Sequence, residues 1–363
     1  MQSTQIGYFC RMESTKHVII VGGGLSGICL AYWLRTQPIS VTLLEASARL
    51  GGRIHTVEGP RSTPLELGAT WFSDRHPSLL QLIDELELTS FPQVSEGVTL
   101  FQTKSFEPPQ RFFVPASESP SFRLAGGTRA LIQALAERLD PQSIHLNTSV
   151  TGIREDGPAV VVETADGRTY KADQAVVCLP PQLMGAQIEV TPALPPDTLA
   201  LLPTVQTWMA GSIKFVLEYT RPFWRTEGYS GMLYSHAGIV VEMYDHTSAD
   251  GQRYGFTGFL NSGAAAYSPE LRQELVLRQL GDLFGPEALQ PTAYFDKVWN
   301  DEFVLSGSPY FNRPHQNNGH PLLQQSYLNG KLFLGGTETA TESPGYMEGA
   351  VISSRRLASV LCA

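Results

Sequence analysis

The stretch that decides the fold runs His17-Val-Ile-Ile-Val-Gly-Gly-Gly-Leu-Ser-Gly-Ile-Cys-Leu-Ala-Tyr-Trp-Leu-Arg35, then Pro38, then Val41-Thr-Leu-Leu-Glu45. His17 to Val21 is a β-branched run of strand length. Gly22 to Gly27 interrupt it, Ile28 to Arg35 reads as helix, and after Pro38 the residues Val41 to Leu44 form a second buried strand. This is a βαβ unit. Its glycines fall as Gly22-x-Gly24-x-x-Gly27, between strand and helix, with Leu25 and Ser26 in the gap. Gly22 permits the tight turn, Gly24 lets backbone approach a pyrophosphate, and Gly27 lets the helix pack closely on the strand. Free N–H groups and the dipole at the helix start favour the phosphate charge. Glu45, 23 residues beyond Gly22 and followed by Ala46, stands where a carboxylate accepts hydrogen bonds from ribose hydroxyls. The unit predicts a dinucleotide site.

Outward from this unit, residues 1–14 show no periodicity and read as a disordered leader, with Met12 as an alternative start. Val18 to Leu34 carries no charge, yet it is shorter than the roughly 20 residues of a membrane span and holds four glycines. The 363 residues are 42% hydrophobic and 17% charged, the composition of an ordinary globular chain. Acidic residues outnumber basic ones by 35 to 26, for a net charge of −9, which argues against nucleic acid as a main partner. Cys10, Cys29, Cys178 and Cys362 form no CxxC pair; Cys29 and Cys178 read as buried thiols, no metal site is expected, and the compartment is reducing, hence cytoplasmic.

Further along, helices are predicted over 78–88, 129–139, 269–284 and 345–360. Strands are predicted at 149–150, 159–164, 173–179, 213–219, 238–244 and 332–334, and prolines between 90 and 123 leave short strands and loops. The order implies an α/β fold, a doubly wound Rossmann-like dinucleotide domain with an inserted mixed-sheet substrate domain. The first is assigned residues 15–83, 124–205 and 325–363, the second 84–123 and 206–324.

Arg49-Leu-Gly51-Gly52-Arg53 follows Glu45 directly and resembles the extended motif of the glutathione-reductase-like FAD superfamily. Leu67-Gly68-Ala69-Thr70-Trp71 resembles the segment that superfamily lays near the isoalloxazine, and Val150 is placed in the same site. At the other end, Gly336-Thr-Glu338-Thr-Ala-Thr341 and Gly345-Tyr346-Met347-Glu-Gly-Ala-Val351 closely resemble the C-terminal signature of the flavin monoamine oxidases and their polyamine-oxidase relatives. That resemblance implies a flavin amine oxidase. Glu338 would hold the ribityl chain, and the N-terminus of the last helix would face the flavin N1–C2=O edge, where reduction places negative charge.

The family sets two tyrosines face to face before the flavin as a cage for the amine. Tyr310, in Ser306-Gly-Ser-Pro309-Tyr310, and Tyr346 match them, with Trp299 beside the flavin. Electron-rich ring faces attract the amine as a cation. Pro309 replaces the cysteine that bonds some members to flavin, so FAD is expected noncovalent. The lysine that many members hold near flavin N5 falls at about Ala264, and Lys214 belongs to another segment, so no lysine is expected at the flavin. The region between Leu88 and Gly126 is short for the family, and a second copy of the chain is a possible partner in closing the pocket. The chemistry expected is oxidation of an amine C–N bond to an imine, with O₂ reduced to H₂O₂. The alternatives are a C–C desaturase of the protoporphyrinogen-oxidase type and a nonenzymatic flavoprotein.

Overall fold

In the computed structural model, which describes residues 15–300 and 313–363, the opening βαβ unit lies at the centre of a six-stranded sheet. Lys16–Val21 is flanked by parallel Gln174–Val177 and Ile39–Leu44, and Leu332–Leu334 joins beyond 174–177. Ile144–His145 closes one side and antiparallel Ser326–Tyr327 the other. Both ends of the described chain therefore build one sheet. Side chains of the first strand alternate between its faces. Val18 and Ile20 pack with Leu30, Leu34, Leu357 and Leu361 of the first and last helices. Ile19 and Val21 pack with Ile153, Val160 and Val162 of a four-stranded mixed sheet on the opposite face. The fold is α/β and doubly wound around a nucleotide-type sheet, as the sequence implies.

A seven-stranded sheet carries the rest, in the order 293–298, 213–219, 254–260, 240–245, 229–235, 97–102, 110–114. Three of these strands, Tyr229–Ser235, Tyr254–Leu260 and Ala293–Val298, are absent from the sequence reading. The first two contain glycines that mask the strand pattern, and Gly258 shows why they are there. A Cβ at Gly258 would meet the Glu242 carbonyl oxygen at 2.4 Å and the Phe215 ring at 2.6 Å. The helix Pro269–Phe284 forms where expected, with the Ser268 hydroxyl accepting from Leu271 N and Gly285 ending it at φ 89°. Arg272 clamps it to the edge strand by a buried bidentate pair with Asp296, at 2.7 and 2.8 Å.

Candidate active site

Between the two large sheets lies a cavity of about 420 Å³, within the roughly 300–1,000 Å³ usual for small-molecule sites. Its wall begins with the glycine motif. The first helix runs Leu25–Leu34, three residues earlier than predicted, so Leu25, Ser26 and Gly27 form its first turn. Gly24 caps it without a side-chain acceptor, and no acidic residue stands in that turn. The first N–H groups are thus left for an anionic ligand. Gly22 turns at φ 104°, and a Cβ on Gly27 would sit 2.0 Å from the Gly22 carbonyl oxygen. A Cβ on Gly24 would meet only Gly52 Cα at 4.0 Å, so this backbone is open to the cavity.

Glu45 is buried beside it, its carboxylate accepting from Gly23 N at 2.6 Å and Ser47 N at 2.8 Å. Gly51 donates to the Gly23 carbonyl at 2.8 Å, pinning the second glycine pair against the first. Every site residue expected from the sequence and described in the structure lines the cavity except Gly27 and Arg49. Gly27 serves packing. Arg49 turns inward to its own loop and donates to the carbonyls of Gly52, Ile54 and Leu50 at 2.7, 2.9 and 3.2 Å. These bonds shape the Gly51–Gly52 turn.

The C-terminal half of the signature closes onto this end. Gly336 N donates to Ser26 Oγ at 3.2 Å, and Ser354 of the last helix donates to the Ser26 carbonyl at 2.7 Å. Glu338 is fully buried; its Oε2 accepts from Arg53 at 3.0 Å. Arg53 also approaches Oε1 at 2.7 Å, but out of hydrogen-bond alignment, and Oε1 has no hydrogen-bond partner. A buried carboxylate oxygen with spare capacity on a cavity wall fits the hydroxyl groups of a sugar-alcohol chain.

The other end of the cavity is built from side chains. Gly68 lies so close to Arg53 that a Cβ would be 2.2 Å from its carbonyl oxygen, which locks the turn carrying Ala69, Thr70 and Trp71. Trp71 donates to Gln93 Oε1 at 2.9 Å, and its ring meets Tyr244 edge-on at 5.1 Å. Trp299 is buried and donates to the Leu67 carbonyl at 2.8 Å. Tyr346 caps the last helix and is 41% exposed, its ring flanked by Trp208, His315 and His76 at 6.0, 5.7 and 5.8 Å between centroids. His315 in turn stacks on Trp208 at 4.6 Å. Tyr310 and Pro309 lie outside the described residues.

Lys214 is the main correction. It lines this cavity, 3% exposed, where the sequence reading expects no lysine. Its Nζ donates to the Gly68 carbonyl at 2.8 Å and to the Thr70 hydroxyl, and stands 4.8 Å from the centroid of the Trp71 ring. Burial lowers its pKa to about 7, with Glu66 opposing the shift and Arg123 adding to it. The signal was present: Ile213-Lys-Phe-Val-Leu-Glu-Tyr219 is a wholly buried strand with two charges, Lys214 and Glu218, four residues apart on one face. A charge inside such a run needs a built partner. Trp208, Met209 and Phe259 also line the cavity unanticipated. Cys178 reaches the wall, but burial pushes its thiol up to about 12, which keeps it inert.

The comparisons with known proteins agree with this geometry. The family model for flavin containing amine oxidoreductase matches residues 25–106 and 98–362. A probable flavin-containing monoamine oxidase A of Dictyostelium discoideum is 27% identical, over 95% of this chain and 97% of that protein. The flavin-containing amine oxidase B of Bos taurus is 24% identical, over 96% and 86%. In fold the chain is similar to a putrescine oxidase with bound putrescine, TM-score 0.81, 21% identity, 95% and 98% covered. It is equally similar to the cyclohexylamine oxidase of Brevibacterium oxydans, TM-score 0.82, 20% identity, 96% and 99% covered. Among the described residues no helix is long and apolar enough to cross a membrane. The chain belongs to the flavin-containing amine oxidoreductases and is a flavin-dependent enzyme acting on amines.

Proposed function

We propose that the cavity holds FAD noncovalently and that the enzyme oxidises the C–N bond of a small amine to an imine, with O₂ as acceptor and H₂O₂ as product. The observation that carries this reading is the cavity itself, one continuous wall running from the uncapped helix start at Gly24 to the rings of Trp71, Trp299 and Tyr346. The glycine cradle and helix terminus suit a diphosphate, Glu45 suits a ribose, and the Glu338 Oε1, ion-paired with Arg53 but without a hydrogen bond, suits a ribityl hydroxyl. Residues 15–83, 124–205 and 325–363 supply the nucleotide side in this reading, and 84–123 with 206–324 the substrate side.

When bound, FAD supplies the two-electron acceptor. The protein's work is to bring the amine to it. The faces of Tyr346 and, by the family resemblance, Tyr310 draw in the cationic amine. Trp299, fixed by its bond to the Leu67 carbonyl, backs the same end. Loss of two electrons and two protons gives the imine, which water hydrolyses. With Pro309 in place of a cysteine and the Cys178 thiol held protonated, the cavity wall offers no described cysteine suited to a flavin bond, and a cytoplasmic location is part of this reading. Anaerobic mixing with a panel of amines should bleach the bound flavin, with H₂O₂ formed on admitting air. Acid precipitation should release the yellow chromophore as free FAD. A flavin that no amine reduces overturns the reading.

A further inference from the structure

An unpaired edge strand offers its free N–H and C=O groups to another chain unless the sequence blunts it. In the six-stranded sheet both outer strands, Ser326–Tyr327 and Ile144–His145, are only two residues long. In the four-stranded sheet the edge Thr169–Ala172 carries Lys171, bonded to Asp156, and the edge Glu189–Thr191 stops at Pro192 after three residues. One edge of the seven-stranded sheet, Ala293–Val298, is clamped by Arg272 of the helix beside it. The opposite edge has no such protection. Gln110–Val114 pairs with Gly97–Gln102 on one side and with no described strand on the other. Phe112 is 50% exposed and Phe113 68%, and Phe106 in the hairpin turn is 80% exposed. Side chains alternate along a strand, so Phe113 shares one face with Arg111, and Phe112 shares the other with Gln110 and Val114. Large aromatics thus stand in water on both faces of a five-residue open edge, which marks a site of association.

We propose that this edge joins two copies of the chain: Gln110–Val114 pairs antiparallel with the same strand of a second copy, across a twofold axis at Phe112, making one continuous sheet. The inference is independent of the amine-oxidising reading above.

The occupant is a second copy because the strand is complementary to itself. Pro109 and Pro115 bound it, each three residues from Phe112. Proline has no N–H to give a ladder, so pairing is confined to the stretch between them. Aligning two such stretches end to end sets Phe112 opposite Phe112, Arg111 opposite Phe113, and Gln110 opposite Val114. Opposite residues of an antiparallel pair point to the same face, with their Cα atoms about 4.5–5.5 Å apart. On one face, therefore, Arg111 of each copy meets the Phe113 ring of the other, and this cation–ring contact occurs twice. Arg111 already lies over the Tyr229 ring of its own chain, at 5.6 Å to the centroid. On the other face the two Phe112 rings meet at the axis. A slip of two residues one way would set Arg111 against Arg111, which like-charge repulsion disfavours. A lipid surface suits these rings less well. The chain carries a net charge of −9, and Lys104 of the hairpin is already paired with Glu107.

Sedimentation velocity of the flavin-loaded protein at micromolar concentration should show a species of two chains. F112K should weaken it by roughly tenfold or more, since like charges then stand directly opposite at the axis. Retained flavin and an unchanged circular dichroism spectrum would show that this variant is folded. Cross-linking reads the register. In a C10S/C362S background, F112C should form an interchain disulfide on mild oxidation, its two sites being within reach across the axis. F113C should not, because two residues of offset hold its sites beyond the roughly 7 Å a disulfide spans. A single-chain species throughout overturns the proposal. So does a dimer that F112K leaves intact, or one that F113C cross-links as readily as F112C. Flotation with phosphatidylcholine–phosphatidylserine vesicles is the remaining arm. Vesicle binding that F112K abolishes, in a protein monomeric without lipid, overturns the proposal in favour of a membrane-docking edge.

Discussion

The two ends of the cavity are made of different material. At the nucleotide end the ligand-facing groups are backbone: Gly22, Gly24, Gly51 and Gly52, with the first turn of a helix. At the substrate end they are side chains delivered from separated strands and loops, among them Trp71, Trp208, Lys214, Phe259, Trp299 and Tyr346. Backbone recognition demands conformations and clearances that only glycine meets, and it leaves a fixed spacing in the sequence. Side-chain recognition demands only that a sheet point the right residue inward, and it leaves no local spacing. In the proposed function the first end holds the cofactor, and the second reacts and selects.

The largest effect should come from breaking the second end without touching the first. Tyr346→Ala is expected to retain flavin while slowing anaerobic flavin reduction by roughly a hundredfold, the cost of misplacing a reacting atom by about 1 Å. Tyr346→Phe should be much milder, since the ring face does the positioning. Loss of flavin from Tyr346→Ala would show that this ring belongs to cofactor retention, and the division between the ends would fail.

The converse is Glu45→Ala. A carboxylate–hydroxyl bond is worth roughly 1.5–3 kcal/mol, so flavin affinity should drop by about tenfold or more. Once saturated with FAD, the variant should be reduced at nearly the wild-type rate. Fluorescence titration of apoprotein with FAD measures the first quantity and stopped flow the second. Unchanged affinity in a folded variant removes Glu45 from the site.

The same division explains what could be read beforehand. The βαβ unit and the strand Leu332–Leu334 are marked by local apolar runs, the helix Pro269–Phe284 by its Ser268 and Gly285 caps, and all three form. The strands Tyr229–Ser235 and Tyr254–Leu260 are interrupted by glycines whose reason is tertiary, the close approach of Asp245 to Gly231 and of Phe215 to Gly258. Arg49 stands inside a recognised motif, yet its guanidinium donates to carbonyls of its own loop. Lys214 escaped because its partners, Gly68 and Thr70, lie more than 140 residues away. Its burial follows from sheet pairing, which no local pattern encodes.

Lys214 also makes the substrate end the pH-sensitive one for stability. Its proton affinity is depressed in the folded state, so between about pH 7 and the ordinary value of about 10.4 the unfolded chain binds a proton that the native one does not. Stability must therefore rise with pH through that window, by up to about 1.4 kcal/mol per unit from this group, and the full cost is felt below it. Urea midpoints at several pH values, with FAD saturating, should show K214M lacking this part of the slope. Parallel slopes in variant and wild type would mean that the lysine stays charged.

The smallest effect expected is the one that divides the substrate end further. Trp208 reaches the cavity from a turn whose next residue, Met209, is held at φ 62°. Its ring stacks on His315 and lies near Tyr346, and Gly345 is pressed beneath it, a Cβ there meeting Trp208 Cβ at 2.6 Å. Trp208 thus supports the tyrosine from the side and bounds the space beside it. An aromatic pair is worth about 0.5–1.5 kcal/mol beyond its buried area. Trp208→Ala should accordingly slow reduction by a few-fold to about tenfold with a small amine, well short of the Tyr346→Ala effect. Because the variant opens space, a bulkier amine should lose less or gain, so the ratio of rates between large and small amines is the informative quantity. If the ratio does not move while both rates fall, Trp208 only props Tyr346. If flavin is lost, the wall at Trp208 belongs to the holding end, and the boundary between the two regions lies further along the cavity, beyond Trp208.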